Sequence, residues 1–452
     1  MPKFIIRGGK PLNGEVFISG SKNAALPILC ATLLTDEECV ISNVPDIADV
    51  KSMLSILKTL GAKVSYGNET VKIRTLCVNQ KNIPSEAICK MRASILLLGA
   101  LIGRCKEAKI SFPGGCVLGK RSVFAHTATL SELGCEILDE TRNLHLKASA
   151  LKGTKIIMPE LSVTATENLI MASVLAEGVT KVHLAAAEPH VQDLCNMLNK
   201  MGAKISGIGT NALTIEGVLK LHGVSHSIVG DYLEAGTFAI AGVITKGNIK
   251  VTRFNPDHLD SLWQKLREIG ADFTLGENFV EIRPVNELKA AKILRTAVYP
   301  SFPTDLQAPF TVLLSQANGV SKVFETLFEG RLNYLFELER MGAKMEFLNP
   351  HQAIIIGPTP LKGAPISSCD IRAGAAMVVA ALAASGETEI SNVYYIDRGY
   401  ADLDEKLRAL GADITRLNRK NPDRTQGGLD RFDHSDRFAQ HQTSAESQNA
   451  DG

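Results

Sequence analysis

Leu60-Gly61-Ala62 returns five more times along the chain, as Leu133-Gly134-Cys135, Met201-Gly202-Ala203, Ile269-Gly270-Ala271, Met341-Gly342-Ala343 and Leu410-Gly411-Ala412. Subtracting neighbouring glycine numbers gives spacings of 73, 68, 68, 72 and 69 residues. Self-similarity at a fixed period marks a repeat architecture, in which each unit is one supersecondary structure that buries its apolar face against its neighbours. The chain therefore reads as six copies of one unit, and function lies where the copies differ.

Outward from the repeated phrase, each unit has the same order. A helix dense in small and apolar residues comes first: Lys22–Leu34, Met91–Ile102, Thr164–Ala176, Leu233–Ile244, Asp305–Ser315 and Ala373–Ala384. These are apolar nearly all round, the mark of a buried helix. A short β-rich segment follows, such as Lys109–Phe112 or Lys181–Leu184, and then an amphipathic helix, such as Val50–Leu60, Leu259–Ile269 or Leu403–Leu410. The repeated glycine stops that helix by accepting a left-handed conformation. Beyond it the apolar period drops to two: Lys63–Tyr66, a turn at Gly67-Asn68, and Val71–Ile73 predict a hairpin, as do Lys204–Ser206 with Leu213–Ile215 and Phe273–Leu275 with Val280–Ile282. One such unit has too little core to stand alone. Six split most simply into two domains of three.

The composition is that of an ordinary globular protein: 45% hydrophobic, 21% charged, net charge +1. That balance gives no reason to expect nucleic acid or an acidic membrane as partner, so any anion site must be local. The apolar stretches are too short to span a bilayer. The strand-like Phe4-Ile5-Ile6 at the outset predicts no signal sequence. Nine scattered cysteines with no CxxC pair fit a reducing cytoplasm better than a disulfide framework or a zinc site. The histidines show no metal-ligand spacing. From about Asn418 to Gly452 the chain is polar and unlike any repeat, and reads as a disordered tail.

The copies diverge at the residues entering helices. Lys22, Arg92, Lys120, Arg121, Arg331, Arg372 and Arg398 all fall near expected helix starts. A cation there opposes the helix dipole, whereas an anion is favoured. Any one alone reads as a solvated surface charge, but their recurrence at equivalent places suggests bound phosphate and carboxylate. Asp305 and Asp370 read equally as helix N-caps, and Asp231 and Glu234 have the same plain reading. Cys116 lies on a glycine-rich loop beside two cations, a setting that favours thiolate. Cys30, Cys89, Cys105, Cys135 and Cys195 read as small buried hydrophobes. Gly114 to Lys120 imitates a phosphate-binding P-loop, but Arg121 stands where Ser or Thr would hold magnesium. Gly207-Ile208-Gly209 falls in a hairpin turn, not in a dinucleotide-binding turn.

With these residues assembled, the chain resembles the UDP-N-acetylglucosamine enolpyruvyl transferases from Phe4 to about Ile414. The motifs that carry this are Ser19-Gly20-Ser21-Lys22-Asn23-Ala24-Ala25-Leu26-Pro27, Met91-Arg92-Ala93-Ser94, Pro113-Gly114-Gly115-Cys116, Phe302-Pro303-Thr304-Asp305 and Ile396-Asp397-Arg398-Gly399-Tyr400. The cysteine loop separates this family from the shikimate-pathway enolpyruvyl transferases. The resemblance implies an α/β fold: a two-domain inside-out barrel of six helix–strand–helix–hairpin repeats, three per domain around buried helices. Residues 22–229 would form one domain, and 1–21 with 230–417 the other. It implies transfer of the enolpyruvyl group of phosphoenolpyruvate to the 3-hydroxyl of UDP-N-acetylglucosamine, the first committed step of peptidoglycan synthesis, with no cofactor or metal. Cys116 would act as general acid at C3 or form a covalent adduct, and would be the target of fosfomycin. Asp305 would take the hydroxyl proton. Lys22, Arg92, Arg121 and Arg398 would clamp phosphate and carboxylate, with Arg331 and Arg372 adding carboxylate contacts. Asn23 would contact the sugar nucleotide, and Phe328 and Asp370 complete the substrate-binding set.

The chain departs from the family on the nucleotide side. The loop after the cysteine, commonly Arg-Pro-Val-Asp-Leu-His, runs Arg121-Ser122-Val123-Phe124-Ala125-His126, and Ala48, Glu160 and Tyr232 replace basic residues. These changes raise two alternatives, a non-catalytic sugar-nucleotide-binding regulator and an enolpyruvyl transferase with another acceptor.

Overall fold

The computed structural model describes residues 2–80, 83–114, 122–141 and 143–417. The tail expected from residue 418 lies outside them. All six expected apolar helices form: Lys22–Ala31, Leu97–Cys105, Val163–Ser173, Tyr232–Ile244, Thr304–Leu314 and Ile371–Ala383. A 3₁₀ turn extends the first at Thr32–Leu34, and another precedes the second at Arg92–Leu96. The last three pack on one another inside one domain, and the first three occupy the equivalent place in the other. Small residues allow that closeness. A Cβ on Gly99 would lie 2.3 Å from the Asn168 carbonyl oxygen of the neighbouring helix. The Asn168 side chain seals this contact, accepting from the Gly99 N–H at 2.7 Å and donating to the Ile95 carbonyl at 2.9 Å.

The repeated phrase closes six helices in one way. All six glycines have positive φ, from 87° at Gly270 to 110° at Gly134. The residue after each donates its N–H to a carbonyl five positions back: Ala62 to Leu57, Cys135 to Leu130, Ala203 to Leu198, Ala271 to Leu266, Ala343 to Leu338 and Ala412 to Leu407. This is the six-to-one bond of the Schellman cap, which satisfies a helix-end carbonyl. The hairpins follow. In the first, Gly67 pairs with Thr70 and the turn residues are Asn68-Glu69, both at positive φ, one residue later than the sequence suggests.

The described strands form six sheets, five of four strands and one of three. Each four-stranded sheet includes a parallel strand that the helix–strand–helix–hairpin reading omits. Lys155–Ile157, Ile293–Arg295 and Pro365–Ser367 each precede a buried helix and pair within their own repeat. In the three-stranded sheet the Gln80 side chain does similar pairing, donating to the Glu107 carbonyl at 2.8 Å and accepting from the Lys109 N–H at 3.3 Å. Two parallel strands are exchanged. Asn13–Phe17, before the first buried helix, pairs with Asn248–Thr252 of the fourth repeat, and Ser225–Ser227, before the fourth, pairs with Cys39–Ser42 of the first. Lys3–Arg7 sits between Glu387–Ser391 and Asp413–Leu417 in the last sheet. The crossing segments meet at a Gly20–Gly230 bridge, where Ser21 donates to the Val229 carbonyl and Asp231 to that of Ser19, both at 2.8 Å.

Two hydrophobic cores result. One gathers residues from Ala24 to Ile228 together with Ala401. The other gathers Phe4 to Ile18 with Tyr232 to Ile414.

Candidate active site

The first residue of the first buried helix is Lys22. Its Nζ lies 2.9 Å from Oδ2 of Asp49, in the first turn of the amphipathic helix Ala48–Thr59. Oδ1 of the same carboxylate accepts from Nε of Arg398 at 2.9 Å, and Oδ2 from its Nη2 at 3.4 Å. Lys22 and Asp49 lie in the stretch that builds the first hydrophobic core and Arg398 in the stretch that builds the second, so a single carboxylate joins cations from both. Burial pushes the Lys22 ammonium below its ordinary value; Asp49 opposes that shift, while Arg372 and Arg398 add to it. Burial pushes the Asp49 carboxyl up, but Lys22 and Arg398 outweigh it and hold the group below its ordinary value.

A second carboxylate holds a second cation pair. Asp305, in the first turn of Thr304–Leu314, accepts from Nη2 of Arg331 and, at 3.1 Å, from Nε of Arg372. Burial raises its carboxyl, yet the two guanidinium groups win and hold it well below the usual carboxylate range. The helix start is held by Thr304, whose hydroxyl donates to the buried Glu325 at 2.9 Å. Arg372 stacks over the Tyr400 ring at 5.2 Å, and Arg331 lies 5.7 Å from the Phe328 ring. Both arginines are about 5% exposed or less, and Arg331 Nε and Arg372 Nη1 have no acceptor among the described residues. Buried donors of this kind normally find a partner, so this pair is suited to a further anion. Pro27 and Pro309 fall at the sixth residue of the two site helices. Each lacks the N–H that would bond the carbonyl four residues back, of Asn23 and Asp305 respectively.

The crossing segments feed both clusters. Asp231 caps Tyr232–Ile244 through the N–H groups of Leu233 and Glu234, and also accepts from the Lys22 N–H at 3.2 Å. Glu234, 2% exposed, accepts from the Ser19 N–H at 2.9 Å and pairs with Lys406 at 2.5 Å. Asp370 caps Ile371–Ala383 by accepting from the Arg372 and Ala373 N–H groups at 2.7 and 2.8 Å. Of its two readings the cap is observed, and it orients the start of the helix bearing Arg372. Asp305 is not a cap: Pro303 holds that position.

Of the cations expected at helix starts, Lys22, Arg92 and Arg372 occupy the first or second position of helical segments, and Arg331 lies in the 3₁₀ turn Glu329–Leu332. Arg398 does not fit that description. It is the C-cap of Tyr394–Asp397, where a cation suits the dipole. Arg92 donates to the Ser122 carbonyl at 2.9 Å, and the Ser122 hydroxyl accepts from the Phe124 N–H at 3.0 Å. The altered loop is thereby tied to an expected substrate-binding residue. Phe124 is 61% exposed, Ala48 and Glu160 are exposed, and Tyr232 is buried with its ring stacked on His190 at 6.4 Å. Asn23 is half-buried in the first helix. Cys116, Lys120 and Arg121 lie outside the described residues. Cys89 is exposed and Cys105 intermediate, so neither is the buried hydrophobe expected; Cys30, Cys135 and Cys195 are buried. Among the described residues no group of three His, Cys, Asp or Glu is placed to hold a metal, and no helix is long and apolar enough to cross a membrane.

Sequence reasoning missed Asp49, because an acidic first-turn residue on an amphipathic helix looks like ordinary dipole compensation. It also missed His190. That ring is 4% exposed, has Nδ1 without a partner among the described residues, and is held down to about 4 by burial, with Asp305 opposing and Arg372 and His258 reinforcing.

Comparison with known proteins shows the family of the chain. The sequence profile of EPSP synthase (3-phosphoshikimate 1-carboxyvinyltransferase) matches residues 6–407. A UDP-N-acetylglucosamine 1-carboxyvinyltransferase of Methylacidiphilum infernorum is 46% identical over 93% of this chain and 100% of its own length. One of Koribacter versatilis is 45% identical over 93% and 98%. The crystal structure of the enolpyruvyl transferase NikO of Streptomyces tendae superposes with a TM-score of 0.83 at 25% identity, covering 92% of this chain and 99% of that one. An EPSP synthase of Acinetobacter baumannii shares the fold, with a TM-score of 0.72 at 18% identity and coverage of 92% and 100%. By sequence along nearly its whole length and by its two-domain fold, the chain belongs to the family of the UDP-N-acetylglucosamine 1-carboxyvinyltransferases.

Proposed function

We propose that this enzyme transfers the 1-carboxyvinyl group of phosphoenolpyruvate to the 3-hydroxyl of UDP-N-acetylglucosamine, releasing inorganic phosphate at the first committed step of peptidoglycan synthesis in the cytoplasm. The observation that carries the reading is the pair of carboxylate-bridged cation clusters, close enough that Arg372 of one acts on the charge of Lys22 in the other. Phosphoenolpyruvate bears two anionic groups, and each cluster suits one of them. Lys22 and Arg398 receive the phosphate, with Arg92, at the start of its 3₁₀ turn, and Arg121 adding to the clamp. Arg331 and Arg372 receive the carboxylate through the buried donors left over from Asp305.

In the addition step the sugar O–H breaks, its oxygen bonds to C2 and C3 takes a proton. Cys116 supplies that proton or bonds to the substrate. Asp305 accepts the hydroxyl proton. A carboxylate clamped by two guanidinium groups is a weak base, so the substrate carboxylate has a second role: by competing for Arg331 and Arg372 it returns basicity to Asp305. In the elimination step C3 returns a proton to the conjugate base of the acid that supplied it, the C2–O bond to phosphate breaks, and the cation pair stabilises the departing charge. Asn23 and Phe328 contact the sugar nucleotide, and Asp370 holds Arg372 in register. The working division is residues 22–229 against 1–21 with 230–417, closing on substrate about the crossing at Gly20 and Gly230. The test is phosphate release from phosphoenolpyruvate. Release that requires UDP-N-acetylglucosamine supports the reading, and binding of the sugar nucleotide without release contradicts it.

A further inference from the structure

We propose that Asp49 is a positioning residue, which ties Lys22 and Arg398 from opposite domains into a single phosphate-binding pair. The proposal rests on the reading that those two cations receive the phosphate. Three observations carry it. The Asp49 carboxylate is 4% exposed, and its two oxygens are shared between the two cations at 2.9 Å each. Lys22 and Arg398 come from the stretches that build the two separate hydrophobic cores, so they reach a common spacing only where those cores meet. Ala401, three residues beyond Arg398, packs into the core of the domain that carries Asp49, which brings the Arg398 loop to this carboxylate.

The chemistry explains why an acid stands in a phosphate site. A buried ammonium held beside a half-buried guanidinium is repelled by it and poorly solvated, and gives up its proton readily. Lys22 is faced by Arg372 and Arg398, which disfavour its charge, and by Asp49, which favours it. With Asp49 in place Lys22 stays charged and aimed, while its remaining N–H bonds are available to a phosphate oxygen. Asp49 touches neither reacting carbon in this arrangement; it acts through the cations.

The experiment compares the full chain with Asp49→Asn, using inorganic phosphate in a calorimeter across a pH series, followed by steady-state kinetics. Asp46→Asn is the control, because Asp46 is exposed near the start of the same helix and pairs with Lys51 at 2.7 Å, away from Lys22 and Arg398. In Asp49→Asn the loss of phosphate affinity on the alkaline side is expected to begin at least one pH unit lower than in the parent and the control. The kcat is expected to fall at least tenfold, with KM for the sugar nucleotide within twofold. A smaller pH shift or a smaller loss of kcat overturns the proposal. If Asp49→Asn does not fold, Asp49→Glu replaces it: the charge is kept on a longer arm, so the pH onset should match the parent while kcat falls, and any other pattern overturns the proposal. Phosphate binding does not depend on turnover. If the parent has no turnover, the phosphate titration alone decides: a pH shift in Asp49→Asn leaves the role of Asp49 standing while the functional reading falls, and its absence overturns the proposal.

Discussion

A carboxylate between two buried guanidinium groups has its proton affinity set by competition, and Asp305 is in that position. Its replacement by Asn keeps the shape and one hydrogen-bond acceptor but removes the base. General-base contributions are about 10²–10⁴-fold. Asp305→Asn is therefore expected to lower kcat by at least about 100-fold while calorimetric binding of UDP-N-acetylglucosamine stays near the parent value; a kcat close to that of the parent would rule out the base role. His190 yields a second prediction from its neutral, buried ring. The unfolded chain protonates this residue near pH 6.5, whereas the fold resists protonation down to about 4. Between those values the unfolded state binds more protons, so stability falls as pH drops. His190→Gln should flatten the decline in melting temperature between pH 6.5 and 4. An unchanged slope would mean that the ring is not buried neutral.

At the level of elements, the repeated glycines permit a graded test. A Cβ at Gly411, with φ of 92°, meets nothing within 4 Å, whereas one at Gly61, with φ of 99°, would lie 2.7 Å from the Cys77 carbonyl oxygen. Gly411→Ala should thus show backbone strain alone, about 1–2 kcal/mol. Gly61→Ala should exceed it by the added clash. Denaturant midpoints measure both, and equal losses would contradict the placement of Cys77. These positions also show what the sequence made legible. A glycine after an amphipathic helix has one dominant use, so all six caps and the hairpins behind them could be read directly. The parallel strands could not. Lys155–Ile157 and its counterparts have three residues, too few to express a period of two, and they exist because a neighbouring strand offers a free edge. The Gln80 amide pairing on strand Glu107–Ser111 leaves no pattern in sequence at all.

Across the whole molecule, the exchange of Asn13–Phe17 and Ser225–Ser227 between repeats links the domains by two antiparallel segments, and Glu234 with Lys406 fastens that crossing to the last amphipathic helix. Burial raises the Glu234 carboxyl and Lys406 works against it. Lys406→Met leaves this buried acid without its counter-charge, a change worth about 3–5 kcal/mol. The loss should be largest where Glu234 is ionised and shrink as falling pH protonates it; a loss independent of pH would show that Lys406 contributes packing only. The cations Lys22 and Arg372 could be read from their recurrent placement at helix starts, Arg331 lies in a 3₁₀ turn instead, and Arg398, a C-cap, could be read only from the motif Ile396-Asp397-Arg398-Gly399-Tyr400. Asp49 and His190 could not, since each matters through groups far away in sequence: Asp49 through Lys22 and Arg398, His190 through Asp305 and Arg372. The most direct measurement is the mass of the nucleotide sugar after incubation of UDP-N-acetylglucosamine, phosphoenolpyruvate and the full chain. Gain of one carboxyvinyl group in place of a hydrogen, with one phosphate released per product, is the predicted result. A nucleotide sugar of unchanged mass would contradict the account.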